Sequence, residues 1–120
     1  MSENIIENFQ QERERLNEIV MKYAQLETKR FWSLDGQIYR DGALPAKFKE
    51  MLGLVASLVL RCDDCVKYHI IRCHEEGISN EEMEEALSIG LVVGGSIVIP
   101  HLRRAFEAWD ELSEKHKKND

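Results

Sequence analysis

The sequence predicts an all-α fold, a single helical bundle domain spanning residues 1–120. Three observations carry this. Apolar residues recur at three- and four-residue spacing over long stretches, no stretch keeps the two-residue alternation of a strand, and Pro45, Gly77 and Pro100 stand where the stretches begin or end. Residues 2–26 contain no Pro or Gly, and Ile5, Phe9, Leu16, Ile19, Val20 and Tyr23 form the apolar side of a long amphipathic helix. A shorter segment, residues 28–39, places Phe31, Trp32, Leu34 and Tyr39 toward the interior before Asp41 and Gly42 break it; the pattern leaves its type open. Pro45 suits a first helical turn, where no intrahelical N–H is needed, and the apolar run to residue 60 is too long for an ordinary strand. Residues 61–64 supply capping groups, predicting a break and then a new helix through about Glu75, closed by Gly77. Ser79 or Asn80 caps the next helix, with Met83, Ala86, Leu87 and Ile89 on it. Gly94 and Gly95 interrupt residues 91–99 and offer another helix a close approach. Pro100 starts or kinks the last helix, which carries Leu102, Phe106 and Trp109 on one side before a charged tail, residues 114–120, expected to fray.

Composition narrows the function classes. The chain has 120 residues, 43% of them hydrophobic and 32% charged, the make-up of one folded core. Sixteen Lys and Arg against 22 Asp and Glu give a formal charge of −6, which argues against nucleic acid or an anionic bilayer as partner. The longest apolar run, residues 51–60, is about half the roughly 20 residues needed to span a membrane. The opening MSENIIENFQ lacks a basic start followed by an apolar core, so a cytoplasmic location is expected. All three cysteines fall between positions 62 and 73, and in a reducing compartment such clustering points to redox or metal chemistry.

Cys62, Cys65 and His69 form Cys-x-x-Cys-x-x-x-His. On a helix, Cys65 and His69 stand at i and i+4, one turn apart on one face, where they can share a proton directly or through water. Cys62, three residues earlier at the helix start, is close enough to close a disulfide with little backbone change. The partial positive charge of a helix N-terminus favours thiolate over thiol. Asp63 and Asp64 oppose that effect, and Arg61 and Lys67 offset them.

With Glu50 placed twelve residues before the first cysteine, the pattern becomes Glu-x11-Cys-x-x-Cys-x-x-x-His, and here the chain resembles the alkylhydroperoxidase D-like branch of the carboxymuconolactone decarboxylase family over about residues 45–109. The resemblance implies a helical hairpin fold, a homo-oligomer, commonly a trimer or hexamer, and thiol-dependent peroxide reduction without a bound cofactor or metal. By motif position, Cys65 resembles the peroxide-attacking cysteine, Cys62 the resolving one, and Glu50 with His69 the proton relay. Its partners would be a small-molecule peroxide and a thiol or lipoyl-type reductant protein. Asp64 departs from the mycobacterial-type members, which carry a histidine between the cysteines, so one auxiliary proton carrier is missing. The decarboxylase branch generally lacks the cysteine pair, which disfavours lactone decarboxylation. A single subunit is short for a self-sufficient core with a pocket, and the first helix and Gly94-Gly95 are the candidate subunit contacts.

Plainer readings stand beside these. Glu50 follows Lys47 and Lys49 and suits a solvated ion pair as well as a relay. Cys73, one turn beyond His69, fits core packing better than a third redox role. His74 and His116 read as surface residues, His101 could face the pocket or a neighbouring subunit, and Trp32, Phe106 and Trp109 read as core or interface anchors. Cys62, Cys65, His69 and Cys73 also approximate a zinc module, but a continuous helix would hold Cys62 and Cys73 about 16 Å apart, too far for one ion. The alternatives to a peroxidase are a disulfide reductase or a redox-sensing oligomeric scaffold, both of which use the same accessible thiol pair.

Overall fold

The computed structural model describes the backbone of residues 4–119 and the side chains of residues 4–115. Six α-helices, α1 Ile5–Tyr23, α2 Leu26–Ile38, α3 Ala46–Val59, α4 Asp63–Glu75, α5 Asn80–Gly94 and α6 Ile99–Asn119, account for most of this span; a 3₁₀ turn, Ser96–Val98, leads into α6, and no strand occurs among the described residues. The segment whose type the pattern left open is thus helical, while residues 2 and 3 of the expected first helix and the side chain of His116 lie outside the described residues. The charged tail continues α6 as helix through Asn119.

The core forms where α3 packs on α4 and α5, and α4 on α6. Leu54 and Leu58 of α3, Val66, Ile70 and Cys73 of α4, and Met83 and Leu87 of α5 are almost wholly buried, closed on the far side by Ala105, Ala108 and Trp109 of α6. Burying such side chains supplies about 1.5–3 kcal/mol each, the main force holding the hairpin together. The close helix approach lies at Gly90, not at Gly94-Gly95 alone: a Cβ on Gly90 would stand 2.7 Å from Leu58 Cδ2, so only a hydrogen there lets α5 reach α3. Gly94 is itself spent within the chain, with its Cβ position 2.6 Å from a Val98 methyl.

The turns explain where the site falls. The α3 helix ends in a paired closure, with Cys62 N–H donating to Ser57 C=O at 3.1 Å and Arg61 N–H to Leu58 C=O at 2.9 Å. Arg61 takes the left-handed position (φ 60°) that a glycine usually fills. That reversal makes Cys62 the N-cap of α4, its sulfur accepting the Cys65 N–H at 3.2 Å. The same closure recurs at the other end of α4, where Ile78 N–H meets Cys73 C=O and Gly77 holds φ 82°. Ser79 is the N-cap of α5 in a full capping box with Glu82.

Of the two N-terminal helices, α2 departs from expectation, while α1 leaves open much of the apolar side expected to serve as a subunit contact. Of the expected apolar side of α1, Ile5, Phe9 and Val20 are half-buried and Leu16, Ile19 and Tyr23 exposed; the one buried residue of the helix is their neighbour Ile6. On α2, Phe31, Trp32 and Leu34 are 64%, 42% and 53% exposed, and only Tyr39 at its C-terminal cap turns inward. Amphipathic spacing requires a cover for the apolar face, and within one chain these faces have little. Phe106 and Ile89 are likewise exposed, whereas Trp109 is core, as expected. The start of α1 is pinned by Glu111 of α6, whose carboxylate accepts the N–H groups of Ile5 (2.8 Å) and Ile6 (2.7 Å).

Candidate redox site

At the head of α4 the structure joins Cys62 to Cys65 by a disulfide, with the Cα atoms 5.2 Å apart. Cys62 is half-buried and Cys65 exposed, at the edge of a cleft of about 830 Å³ that also takes in Tyr39, Ser57 and His69. One turn further along α4, His69 is buried at 7% exposure. Its Nδ1–H donates to Glu50 Oε1 at 2.9 Å, an assignment that follows from the carboxylate being an acceptor. The other Glu50 oxygen lies 3.4 Å from Arg72 Nε.

Glu50 is 1% exposed, so the solvated ion pair is excluded. The neighbouring lysines turn elsewhere: Lys47 reaches Glu82 at 3.0 Å, and Lys49 donates to the carbonyls of Ile38 and Arg40 at 2.9 and 2.7 Å. A carboxylate this deep costs several kcal/mol unless it is paired and hydrogen-bonded, and His69 and Arg72, both from α4, fill that need. Arg72 is held in turn by Glu75 and Glu76. The α3–α4 hairpin therefore carries a buried polar seam from Glu50 through His69 toward the cleft.

Three members of this seam escaped the sequence pattern. Tyr39 Oη stands 3.4 Å from His69 Nε2, the ring nitrogen that Glu50 leaves unused. Arg72 backs Glu50. Gly53, on α3, makes the room: a Cβ there would fall 2.7 Å from His69 Cε1 and 2.8 Å from both His69 Nε2 and Tyr39 Oη. The only signal for Gly53 was a glycine inside an otherwise unbroken helical pattern; Tyr39 was legible only as an inward-facing residue, and Arg72 gave no signal.

Of the two acidic residues between the cysteines, Asp63 is paired with basic side chains. Asp63 accepts from His101 Nδ1 at 2.8 Å and from Arg104 Nε at 3.0 Å, so His101 faces the head of α4 within its own chain. Burial works against ionisation of Asp63, but the His101 hydrogen bond and the Arg104 charge outweigh it and hold the carboxyl below its ordinary range. Cys73 lies apart, fully buried in the core, where burial first and the Glu50 charge second push its thiol up to about 12. Among the described residues no group of three or more His, Cys, Asp or Glu side chains is arranged to hold a metal ion. His74 is half-buried, its ring 5.5 Å from that of Trp109, rather than a free surface residue.

A model of the carboxymuconolactone decarboxylase family matches residues 26–108, which include Glu50, both cysteines and His69. The chain belongs to that family. Among solved carboxymuconolactone decarboxylase family structures, two crystal structures of a Thermotoga maritima protein superpose with TM-scores of 0.90 and 0.89. They are 58% and 57% identical and cover 92% and 93% of this chain and 97% and 95% of theirs. The second is described as a family protein with a possible involvement in an antioxidative response. An apo family protein of Legionella pneumophila shares the fold at 24% identity and TM-score 0.80, over 92% of this chain and 99% of its own. An uncharacterized protein of Cupriavidus necator is 30% identical over 74 residues, 62% of this chain and 66% of that one. Uncharacterized protein 4 in the cox locus of Paracoccus denitrificans is 26% identical over 82 residues, 68% and 74% of the two chains. The family match begins at α2, so α1, which supplies Phe9 and Arg13 to one wall of the cleft, lies outside the matched segment.

Proposed function

We propose that this family member is a thiol-dependent peroxidase of the alkylhydroperoxidase type, cycling Cys65 and Cys62 between dithiol and disulfide with Glu50 and His69 as its proton relay. The observation that carries the reading is the pairing of an accessible Cys62–Cys65 disulfide at the head of α4 with a His69 whose Nδ1 is fixed by a buried Glu50. In the cycle, a Cys65 thiolate forms a bond to the outer peroxide oxygen as the O–O bond breaks, leaving a sulfenic acid and an alcohol or water. The Cys62 thiol condenses with the sulfenic acid, releasing water and forming the disulfide. An external dithiol, a thiol or lipoyl-type protein, then returns two electrons. Cys65 is the better attacking residue because it is exposed in the cleft while Cys62 is half-buried.

The same proposal places the protein in the cytoplasm as a homo-oligomer, a trimer or hexamer. The uncovered apolar residues of α1 and α2 support the second part, since one chain alone gives them nothing to bury against. Among the described residues no helix is long and apolar enough to cross a membrane.

Stopped-flow oxidation of the reduced protein by hydrogen peroxide and by an organic hydroperoxide, with thiols counted by alkylation and mass spectrometry, tests the proposal. Cys65→Ser should abolish peroxide consumption, whereas Cys62→Ser should allow one oxidation and no turnover. Equal activity in both variants would sink the assigned roles. Exposure of Cys65 also favours a second reading, a disulfide reductase or redox sensor: fast exchange with a protein disulfide and no peroxide-driven oxidation would select it.

A further inference from the structure

His69 has two ring nitrogens, and Nδ1 is committed to Glu50 on the buried side. The relay can therefore exchange a proton with the cleft only through Nε2. That atom is closed in by α3, where the backbone at Gly53 passes so near that a Cβ would lie 2.8 Å away, and by the edge-on ring of Tyr68 at 5.2 Å between centroids. With His69 only 7% exposed, the hydroxyl that meets Nε2 is that of Tyr39, at 3.4 Å, and Tyr39 also lines the cleft with Cys65. A separation of this length in a resting site is one that shortens when a reacting group arrives.

We propose that Tyr39, brought in by the C-terminal cap of α2, is the proton carrier between His69 Nε2 and the reacting atoms in the cleft. The assignment rests on the peroxidase reading and extends its relay from two residues to three. Cys65 gives its thiol proton to the Tyr39 oxygen as Tyr39 gives its own to Nε2. The thiolate forms the S–O bond as the O–O bond breaks. The departing oxygen then takes a proton from Tyr39, which recovers one from Nε2, so His69 and Tyr39 end as they began. Burial foremost, then the charges of Asp35 and Glu50, raises the Tyr39 pKa, so at neutral pH the hydroxyl holds a proton to give.

The test is Tyr39→Phe, which keeps the ring against His69 and removes only the hydroxyl. In the reduced protein, Cys65 oxidation by peroxide should slow by about 10²-fold or more, as loss of a positioned proton carrier does. Small imidazole buffers should partly restore the rate. No peroxide-driven oxidation in the unsubstituted protein overturns the peroxidase reading. If that protein reacts and Tyr39→Phe matches it, the Tyr39 role alone falls. A slow variant that no buffer rescues, with the pH profile of the parent, makes Tyr39 a packing residue and also overturns the proposal. Should Tyr39→Phe fail to fold by circular dichroism, 3-fluorotyrosine placed at position 39 acidifies the phenol at nearly constant shape. The pH–rate profile should then move to lower pH, and an unmoved profile refutes the assignment.

Discussion

Gly53→Ala asks how much of the activity depends on the placement of His69. The added Cβ would meet His69 Cε1 at 2.7 Å and both His69 Nε2 and Tyr39 Oη at 2.8 Å, whereas ordinary carbon contacts begin near 3.4 Å. The imidazole and the phenol must therefore yield by about 0.6–0.7 Å, against rings packed on three helices. Overpacking of this kind costs about 1–3 kcal/mol. Replacing glycine by alanine inside a helix returns up to about 1 kcal/mol of helix propensity, so the net loss of stability is about 0–2 kcal/mol. The chemistry should suffer more than the fold, because misplacing a catalytic group by about 1 Å can cost on the order of 10²-fold in rate. The expected result is a 10- to 100-fold slower oxidation of the Cys62–Cys65 pair by peroxide, read by stopped-flow tryptophan fluorescence, in a protein that still unfolds cooperatively in urea with a midpoint lowered by no more than that stability loss allows. Gly36→Ala is the control: nothing stands within 4 Å of a Cβ there, so it should add stability and leave the rate alone. A Gly53→Ala protein that folds and oxidises within twofold of the parent would refute the link between His69 placement and activity.

Two further outcomes follow from the shifted groups. The folded chain holds Asp63 ionised below its ordinary range of about 3.8, so its contribution is present above that pH and is lost as pH falls through the lowered folded value. In urea titrations from pH 7 to pH 2, the parent should exceed Asp63→Asn by on the order of 1 kcal/mol near neutrality, with the gap closing in acid; a constant gap refutes this. Cys73 behaves in the opposite direction. Its thiol stays protonated in the folded chain up to about 12, while in the unfolded chain it ionises near 9, so stability falls as pH rises between those values. Cys73→Ala should remove that alkaline slope, and in the native parent Cys73 should resist iodoacetamide after Cys62 and Cys65 are labelled; rapid labelling of all three thiols contradicts the buried assignment.

What the sequence made legible divides along one physical line. The head of α4 was readable because its signals are local. Cys62 as a capping residue, the i to i+4 offset of Cys65 and His69, and Gly77 as terminator are fixed by helix geometry over one or two turns. Glu50 was reachable through the spacing of a known motif, but its burial was not, since nothing local distinguishes it from the half-buried Lys49 beside it. The partners that complete the site come from afar: Tyr39 lies 30 residues from His69, and His101 and Arg104 lie 38 and 41 from Asp63. Spacing along one element says which residues share a face, not which face meets which. The same limit explains α2, where the pattern placed Phe31, Trp32 and Leu34 toward the interior and the chain leaves them exposed.

That division bears on how the site works. The disulfide sits on a rigid helix end, while Tyr39 is the one member of the seam carried by α2, the helix with the fewest intrachain contacts and the most exposed apolar side chains. Lys49 of α3 ties down the carbonyls on either side of Tyr39, and a cover over Phe31, Trp32 and Leu34 would firm its placement against His69 Nε2 further. In the oligomer of the proposed function, a neighbouring subunit that buries those residues would also steady the Tyr39 hydroxyl, although none of its atoms touches a cysteine. Assembly and proton delivery would be coupled through α2, while the Glu50–His69 bond, made wholly within the α3–α4 hairpin, would persist in a single chain.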